Sequence, residues 1–495
     1  MDIKKIKTLG DLKASDYKSL SVKDELRKNL ISALKNKEKV FEGILGFEDT
    51  VIPDLERAIL SRHNTLFLGL RGQAKTRIAR LMVKLLDEYV PVIKGSELND
   101  DPLEPLSRFA LDMIKEHGDK TPVAWLHRED RYVEKLATPD VSVADLIGDV
   151  DPIKAATLKL PYSDERVIHF GLIPRAHRSI FVINELPDLQ ARIQVSLFNI
   201  LQEGDIQIRG FKLRLPLDVS FVFTANPEDY TNRGSIITPL KDRIESQILT
   251  HYPNTIEIAR KITSQEAKIT AAQNKSIIVP ELLKELLERV SFVARESEFI
   301  DEKSGVSARL SISAYEQMVS AAERRLLINN EKKARVKISD LCQIVPAITG
   351  KVELVYEGEQ EGAFSVAQSL IDNAIKEEFL LHFPNPEKLK KKTERDPYEV
   401  IRTWFGAGNE VGLASDLSDK DYKKELDKVQ GLKRLVSSVA DVSKEDLYVY
   451  MELCLHGLSS FNILTKEIID SNTSFSDPLA NMWQDDDFGS GFTEN

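Results

Sequence analysis

The chain has 495 residues, a formal net charge of −11, 42% apolar and 30% charged residues, which fits a soluble protein of about three domains. The acidic balance argues against general attraction to nucleic acid. The first residues, Met1 to Lys7, lack the apolar core of a signal peptide, and no apolar run approaches the roughly 20 residues of a membrane-spanning helix, so a cytoplasmic protein without a membrane partner is expected.

Residues 1–45 read as a charged, helical N-terminal segment. From 46 to 253 short apolar strands (Leu66 to Leu68, Ile180 to Ile183, Val219 to Thr224) alternate with helical stretches, which predicts a parallel α/β sheet. The first strand runs into Gly69-Leu70-Arg71-Gly72-Gln73-Ala74-Lys75-Thr76, and a helical run follows from Arg77 to Leu86. Glycines let backbone N–H groups close around phosphate oxygens, and a helix start adds partial positive charge there. Lys75 is expected to reach the β- and γ-phosphates and Thr76 to offer its hydroxyl to Mg²⁺. Ala74 stands where such loops carry a second glycine, and Ala fits there without strain only if its φ is negative. Residues 87–135 predict an insertion around a further strand.

A phosphate loop needs a metal-side acid and a water activator on a neighbouring strand. The run from Ser179 to Asp188 ends its apolar strand in Asn184-Glu185. Glu185 can polarise the attacking water. Asn184 stands where an acid would support Mg²⁺; its amide oxygen still accepts a hydrogen bond but carries no charge. Either hydrolysis is slow, or the protein binds nucleotide with little turnover; Glu185 favours slow hydrolysis. Asn226, at the end of the next strand, can hold the water or the γ-phosphate. Between these strands a helix closed by Gly204 and a hairpin around Gly210 form a candidate moving element.

Beyond 254 the strands stop, and a helical lid is expected to 350. Pro280 opens one helix, Ser307 to Leu327 gives a second, and Ser339 caps a third. Residues 351–470 read as a mainly helical C-terminal region. There Leu370, Ala374 and Phe379 mark an amphipathic helix, and the stretch from Phe383 to Pro397 reads as an exposed linker. Ser443 and Asp446 have capping-box spacing, and Leu447, Met451, Cys454, Leu455 and Leu458 share one helical face. Cys342 and Cys454 read as buried free thiols, and the eight histidines show no zinc-ligand spacing. Residues 471–495 read as an acidic disordered tail.

As an ordered set these segments resemble the AAA+ ATPases of the MoxR and magnesium-chelatase I-subunit group. The resemblance covers about residues 40 to 350. It rests on the loop from Gly69 to Thr76 with Ala before Lys, Leu146-Ile-Gly-Asp149, the run from His169 to Arg178, the run from Gln194 to Gly204, Leu240-Lys-Asp-Arg-Ile244 and Gly305-Val-Ser-Ala-Arg309. It implies a P-loop AAA+ core, an all-α lid, and ATP with Mg²⁺ as cofactors. Asn226 would be sensor 1, Arg243 the arginine finger reaching a neighbouring subunit's γ-phosphate, and Arg309 sensor 2; Arg233 is a weaker candidate finger. Residues 138–168 would hold the insert on the second helix, and 204–216 the pre-sensor hairpin. A finger acting across an interface implies a homo-oligomeric ring, hexameric in this group, and a von Willebrand factor A domain protein as the expected partner. The expected activity is ATP-driven remodelling or maturation of a client protein, possible roles including metal or cofactor insertion. A nucleotide-gated scaffold with little hydrolysis and the motor subunit of a metal chelatase are the alternatives. An enhancer-binding transcription activator is disfavoured because its Gly-Ala-Phe-Thr-Gly-Ala loop is missing from the sequence.

Overall fold

The apolar runs form strands of one parallel sheet. In the computed structural model, which describes residues 3–161, 164–208, 214–227, 234–389, 396–439, 442–469 and 472–478, the strands are β1 (Thr65–Leu68), β2 (Tyr132–Leu136), β3 (Ser179–Asn184), β4 (Val219–Ala225) and β5 (Ser246–Leu249). Their order is β5-β1-β4-β3-β2, with every neighbouring pair parallel. All residues of β3 and β4 are buried, as strands covered on both faces must be. The edge strands β2 and β5 are partly exposed and mix charged or polar residues with apolar ones, so they lack the continuous apolar signal.

Chain division falls at His251/Tyr252. In the first unit, α1 (Val22–Asn36), α2 (Val51–Leu60) and α3 (Lys75–Leu81) cover one sheet face, packing Leu26, Leu30, Leu55 and Ile78 against Phe67, Ile180, Val182 and Val222. The N-terminal segment thus contributes to the sheet's own core. The opposite face buries Leu66, Phe181, Ile183 and Phe223 against Ile193, Leu197 and Ile200. Within 87–135, Tyr89–Ile93 and Val123–His127 form a separate antiparallel pair ahead of β2. Within 138–168, Gly148–Val150 pairs with Ile168–Phe170 around the helix Pro152–Leu158. Gly204, at φ 69°, closes the helix Phe198–Glu203, and Asp205–Gln207 pairs with Arg214–Pro216; the hairpin tip at Gly210 lies outside the described residues.

A buried polar layer ties α1 to this sheet. Arg131 makes two bonds to Glu25, at 2.7 and 2.6 Å, and a third from Nε to the Arg178 carbonyl at 2.8 Å. Nearby, both Asp218 oxygens accept from the Val22 N–H, at 3.0 and 2.8 Å, and the Asp218 N–H donates to His177 Nδ1 at 3.0 Å. Burial pushes the Asp218 carboxyl up to about 6 and the His177 imidazole down to about 4. The signs oppose. Between about pH 4 and 6 folded Asp218 keeps a proton that the unfolded chain has released, so its contribution to stability falls as pH rises. Over about pH 4 to 6.5 folded His177 stays neutral while the unfolded imidazole is charged, so its contribution rises with pH. Removing the first by Asp218→Asn is expected to make stability climb more steeply with pH across this window than in the parent. Urea unfolding at pH 4.5 and 6.5 measures the two slopes; equal slopes refute the assignment.

The second unit is helical, with α4 (Glu281–Glu296), α5 (Arg309–Ile328), α6 (Ala363–His382) and α7 (Leu447–Ser460), plus an antiparallel sheet of β6 (Val411–Ala414), β7 (Thr465–Ile469) and β8 (Asn472–Ser476) in the order β6-β8-β7. One core runs through it, from Ile277 and Leu283 to Phe379, Leu455 and Phe475. Residues on either side of 350, assigned from sequence to two regions, therefore share one interior. Pro280 precedes α4 as expected. Ser339 does not cap a helix. The short helix is Ile338–Leu341, preceded by Lys337, and the buried Glu452 carboxylate of α7 accepts from the N–H groups of Ile338 and Ser339, both at 3.0 Å. A carboxylate on a distant helix thus replaces the local hydroxyl. Around α7 the burial extends past the expected stripe to Glu452 and His456. Both cysteines are free thiols, and burial raises Cys342 to about 12. In the linker stretch Pro386–Leu389 is helical, and 390–395 lie outside the described residues. Strand β8 occupies the first part of the stretch read as a tail, and residues from 479 onward lie outside the described ones. Among the described residues no helix is long and apolar enough to cross a membrane.

A parallel five-stranded sheet with a glycine-bearing loop at the carboxyl end of its second strand in spatial order is the α/β core expected from the sequence, and a largely helical unit follows it. The stretch expected to be an all-α lid is not wholly helical: Ile277–Ile278 pairs in parallel with Ala334–Arg335.

Candidate nucleotide site

Strand β1 ends at Leu68, and the loop turns there because nothing but hydrogen fits on Gly69: a Cβ would collide with Thr250 Oγ1 and Gln73 Oε1. Those two side chains bond each other at 2.6 Å, tying the loop to the end of β5. Gly72 has φ 74°. Ala74 has φ 56°, in the left-handed region, so the condition for an unstrained alanine is not met. Holding an L-residue there costs about 1–2 kcal/mol, and such outliers gather at ligand-binding turns. The buried Lys75 ammonium turns back into the loop and donates to the carbonyls of Gly69 and Leu70, the latter at 3.0 Å.

On β3 the loop meets its neighbour. The Thr76 hydroxyl donates to Asn184 Oδ1 at 3.3 Å, and Thr224 Oγ1 donates to the same oxygen at 3.0 Å. Asn184 Nδ2 donates to Glu134 Oε1 at 2.5 Å. Two hydroxyls on one side and a carboxylate on the other fix the amide orientation, since the flipped form would set oxygen against oxygen at Glu134. Glu185 follows with φ 55°, a second left-handed non-glycine residue, and its N–H donates to Thr224 Oγ1 at 3.2 Å. At the end of β4, Asn226 is buried and its Oδ1 has no hydrogen-bond partner among the described residues. An orphaned buried acceptor is costly and calls for a missing partner. Gly69 to Thr76, Asn184, Glu185 and Asn226 therefore gather at the carboxyl edge of one parallel sheet, where α/β folds hold ligands.

Arg243 follows the short helix Thr238–Lys241. Its guanidinium lies 4.8 Å from the Phe198 ring centroid and donates to Gln202 Oε1 at 3.1 Å and the Pro239 carbonyl at 2.7 Å. Arg309 is the first residue of α5 in the second unit and is exposed; its N–H donates to Ser307 Oγ at 3.1 Å. Arg233 lies outside the described residues. Sequence reasoning overlooked Glu134, Arg80 and Thr224. Thr224 sat in view two residues before Asn226, but Glu134 shows only as one alternating position of an edge strand.

The donors available to Mg²⁺ are the Thr76 hydroxyl and the Asn184 carbonyl, with the Glu134 carboxylate bonded behind Asn184. All are hard oxygens, which fits this ion. Among the described residues no cluster of three or more His, Cys, Asp or Glu could hold a metal by itself. Mg²⁺ bound there would neutralise charge on the β- and γ-phosphate oxygens.

No protein-family model matches the chain. Similar solved structures include a complex between the BchI and BchD subunits of magnesium chelatase, at 20% identity, covering 65% of this chain and 98% of that one with a TM-score of 0.34. NtrX from Brucella abortus in complex with ADP aligns at 13% identity over 73% of this chain and 71% of that one, TM-score 0.35. Hsp104 with ATPγS and casein aligns at 15% identity over 63% and 50%, TM-score 0.37. Overlap at this level assigns no activity; the functional reading rests on the loop and strand-end geometry.

Proposed function

We propose that this chain binds and hydrolyses ATP as an AAA+ motor of the MoxR and magnesium-chelatase kind, remodelling or maturing a partner protein. The observation that carries the reading is the convergence at one sheet edge of the Lys75 loop, Glu185 and the Asn226 oxygen, which has no partner among the described residues. Lys75 exchanges its loop carbonyls for phosphate oxygens, Glu185 takes the proton of the attacking water, and Asn226 holds that water or the γ-phosphate. Arg243 acts as the finger of a neighbouring copy in a hexameric ring, and Arg309 senses the nucleotide from the lid. Loss of the γ-phosphate then shifts lid and hairpin against the client. A cytoplasmic setting and a von Willebrand factor A domain partner belong to the same proposal. Asn184, uncharged where an acid is usual, favours slow turnover and supports a second reading, a nucleotide-gated scaffold.

Calorimetric titration with ATP and Mg²⁺, together with phosphate release, tests the core of this reading. Saturable binding with measurable turnover supports the motor, binding without turnover the scaffold, and no binding removes both. The interface is tested by mixing. Arg243→Ala and Lys75→Ala subunits, each inactive alone, are expected to regain turnover together, because one supplies the finger and the other the loop. Absence of recovery places Arg243 outside the site.

A further inference from the structure

The metal side of the site lacks its carboxylate at position 184, yet a carboxylate touches that position from the next strand. In the parallel register Glu134 pairs with Val182, and Leu136 pairs with Asn184. Residues 134, 136, 182 and 184 thus share one face. That is the face covered by α3, whose Thr76 and Arg80 lie one helical turn apart. The result is a chain of four groups. Thr76 meets Asn184 Oδ1 at 3.3 Å, Asn184 Nδ2 meets Glu134 Oε1 at 2.5 Å, and Glu134 Oε2 takes two bonds from Arg80, Nε at 3.1 Å and Nη2 at 2.8 Å. Tyr132 OH reaches the same oxygen at 3.3 Å.

We propose that Asn184 and Glu134 divide the work of one aspartate, Asn184 presenting the oxygen to the metal side and Glu134 supplying the negative charge behind it. This rests on the proposed ATP site. A carboxylate that accepts the amide protons of Asn184 polarises its carbonyl, making Oδ1 a better acceptor for metal-bound water. Glu134 is therefore a positioning residue. Arg80, largely exposed and paired with the far oxygen of Glu134, competes for the same charge.

The test reads metal dependence of binding, with no need for turnover. ATP affinity is titrated calorimetrically across a Mg²⁺ series, and the half-saturating Mg²⁺ concentration is compared. Glu134→Gln keeps the shape and an acceptor for Asn184 but loses the charge; it is expected to raise that concentration by roughly 10–100-fold, the usual scale for an outer-shell partner. The double variant Glu134→Gln/Asn184→Asp returns the charge to the neighbouring position and is expected to bring the requirement back toward the parent value. Arg80→Gln, which spares Glu134, is expected to lower it. An unchanged Mg²⁺ requirement in Glu134→Gln, with ATP still bound by the parent, overturns the division of labour alone. A parent chain that binds no ATP at any Mg²⁺ concentration overturns the nucleotide reading as well.

Discussion

Glu185→Gln is expected to lower ATP turnover by about 100- to 10,000-fold, the range that a positioned general base contributes, with ATP affinity within about twofold of the parent. The residue sits at the exit of β3 in a left-handed conformation, and the Thr224 hydroxyl holds its N–H. Gln keeps the volume and loses the proton acceptor. The split between lost turnover and retained binding separates a catalytic role from a structural one, because a Glu185 needed only for the turn would alter folding or affinity instead. Phosphate release and calorimetry on the same preparation give both numbers. Turnover equal to the parent would remove Glu185 from the mechanism and leave the scaffold reading.

The largest stability effect is expected at the buried pair between α1 and the segment before β2. Glu25 and Arg131 are 3% and 1% exposed, and Glu25 also accepts from the Asp87 N–H at 2.5 Å. Removing either partner leaves an uncompensated charge in the interior. Glu25→Ala or Arg131→Ala is therefore expected to destabilise the first unit by about 3–5 kcal/mol. The joint change Glu25→Leu/Arg131→Met is expected to cost less than either single change, since it removes both charges and refills the volume. Chemical denaturation of the three variants decides it. Additive losses would show that the two groups act independently and that their hydrogen-bonded contact contributes little.

How much of this was readable from the residues follows from what each signal depends on. Strands β3 and β4 are covered on both faces and so must be continuously apolar; the sequence displays them openly. Strands β2 and β5 lie at the edges, where Glu134, Lys135, Ser246 and Gln247 are tolerated, and their patterns dissolve into the background. The loop from Gly69 to Thr76 was legible because its chemistry is local, each residue acting through neighbours in the chain. Ala74 was legible as an exception, but its sign of φ was not, because a backbone angle is decided by what the rest of the turn requires. Glu134 was invisible for the opposite reason. It reaches Asn184 across 50 positions of sequence, and only the parallel register brings the two together. The capping of Ile338 and Ser339 by Glu452 spans still more chain, so no hydroxyl rule could have found it.

That last bond joins residue 338 to residue 452, 114 positions apart, and the surrounding interior extends from Ile277 to Phe475. A truncation after residue 350, drawn where the resemblance stops, would strip α4 and α5 of the apolar surface contributed by α6 and α7. The shortened polypeptide would carry a broad greasy face and an uncapped helix start, and insolubility is its foreseeable fate. The segments before and after residue 350 fill a single interior, so whatever the later one does cannot be separated from the earlier one without exposing that interior.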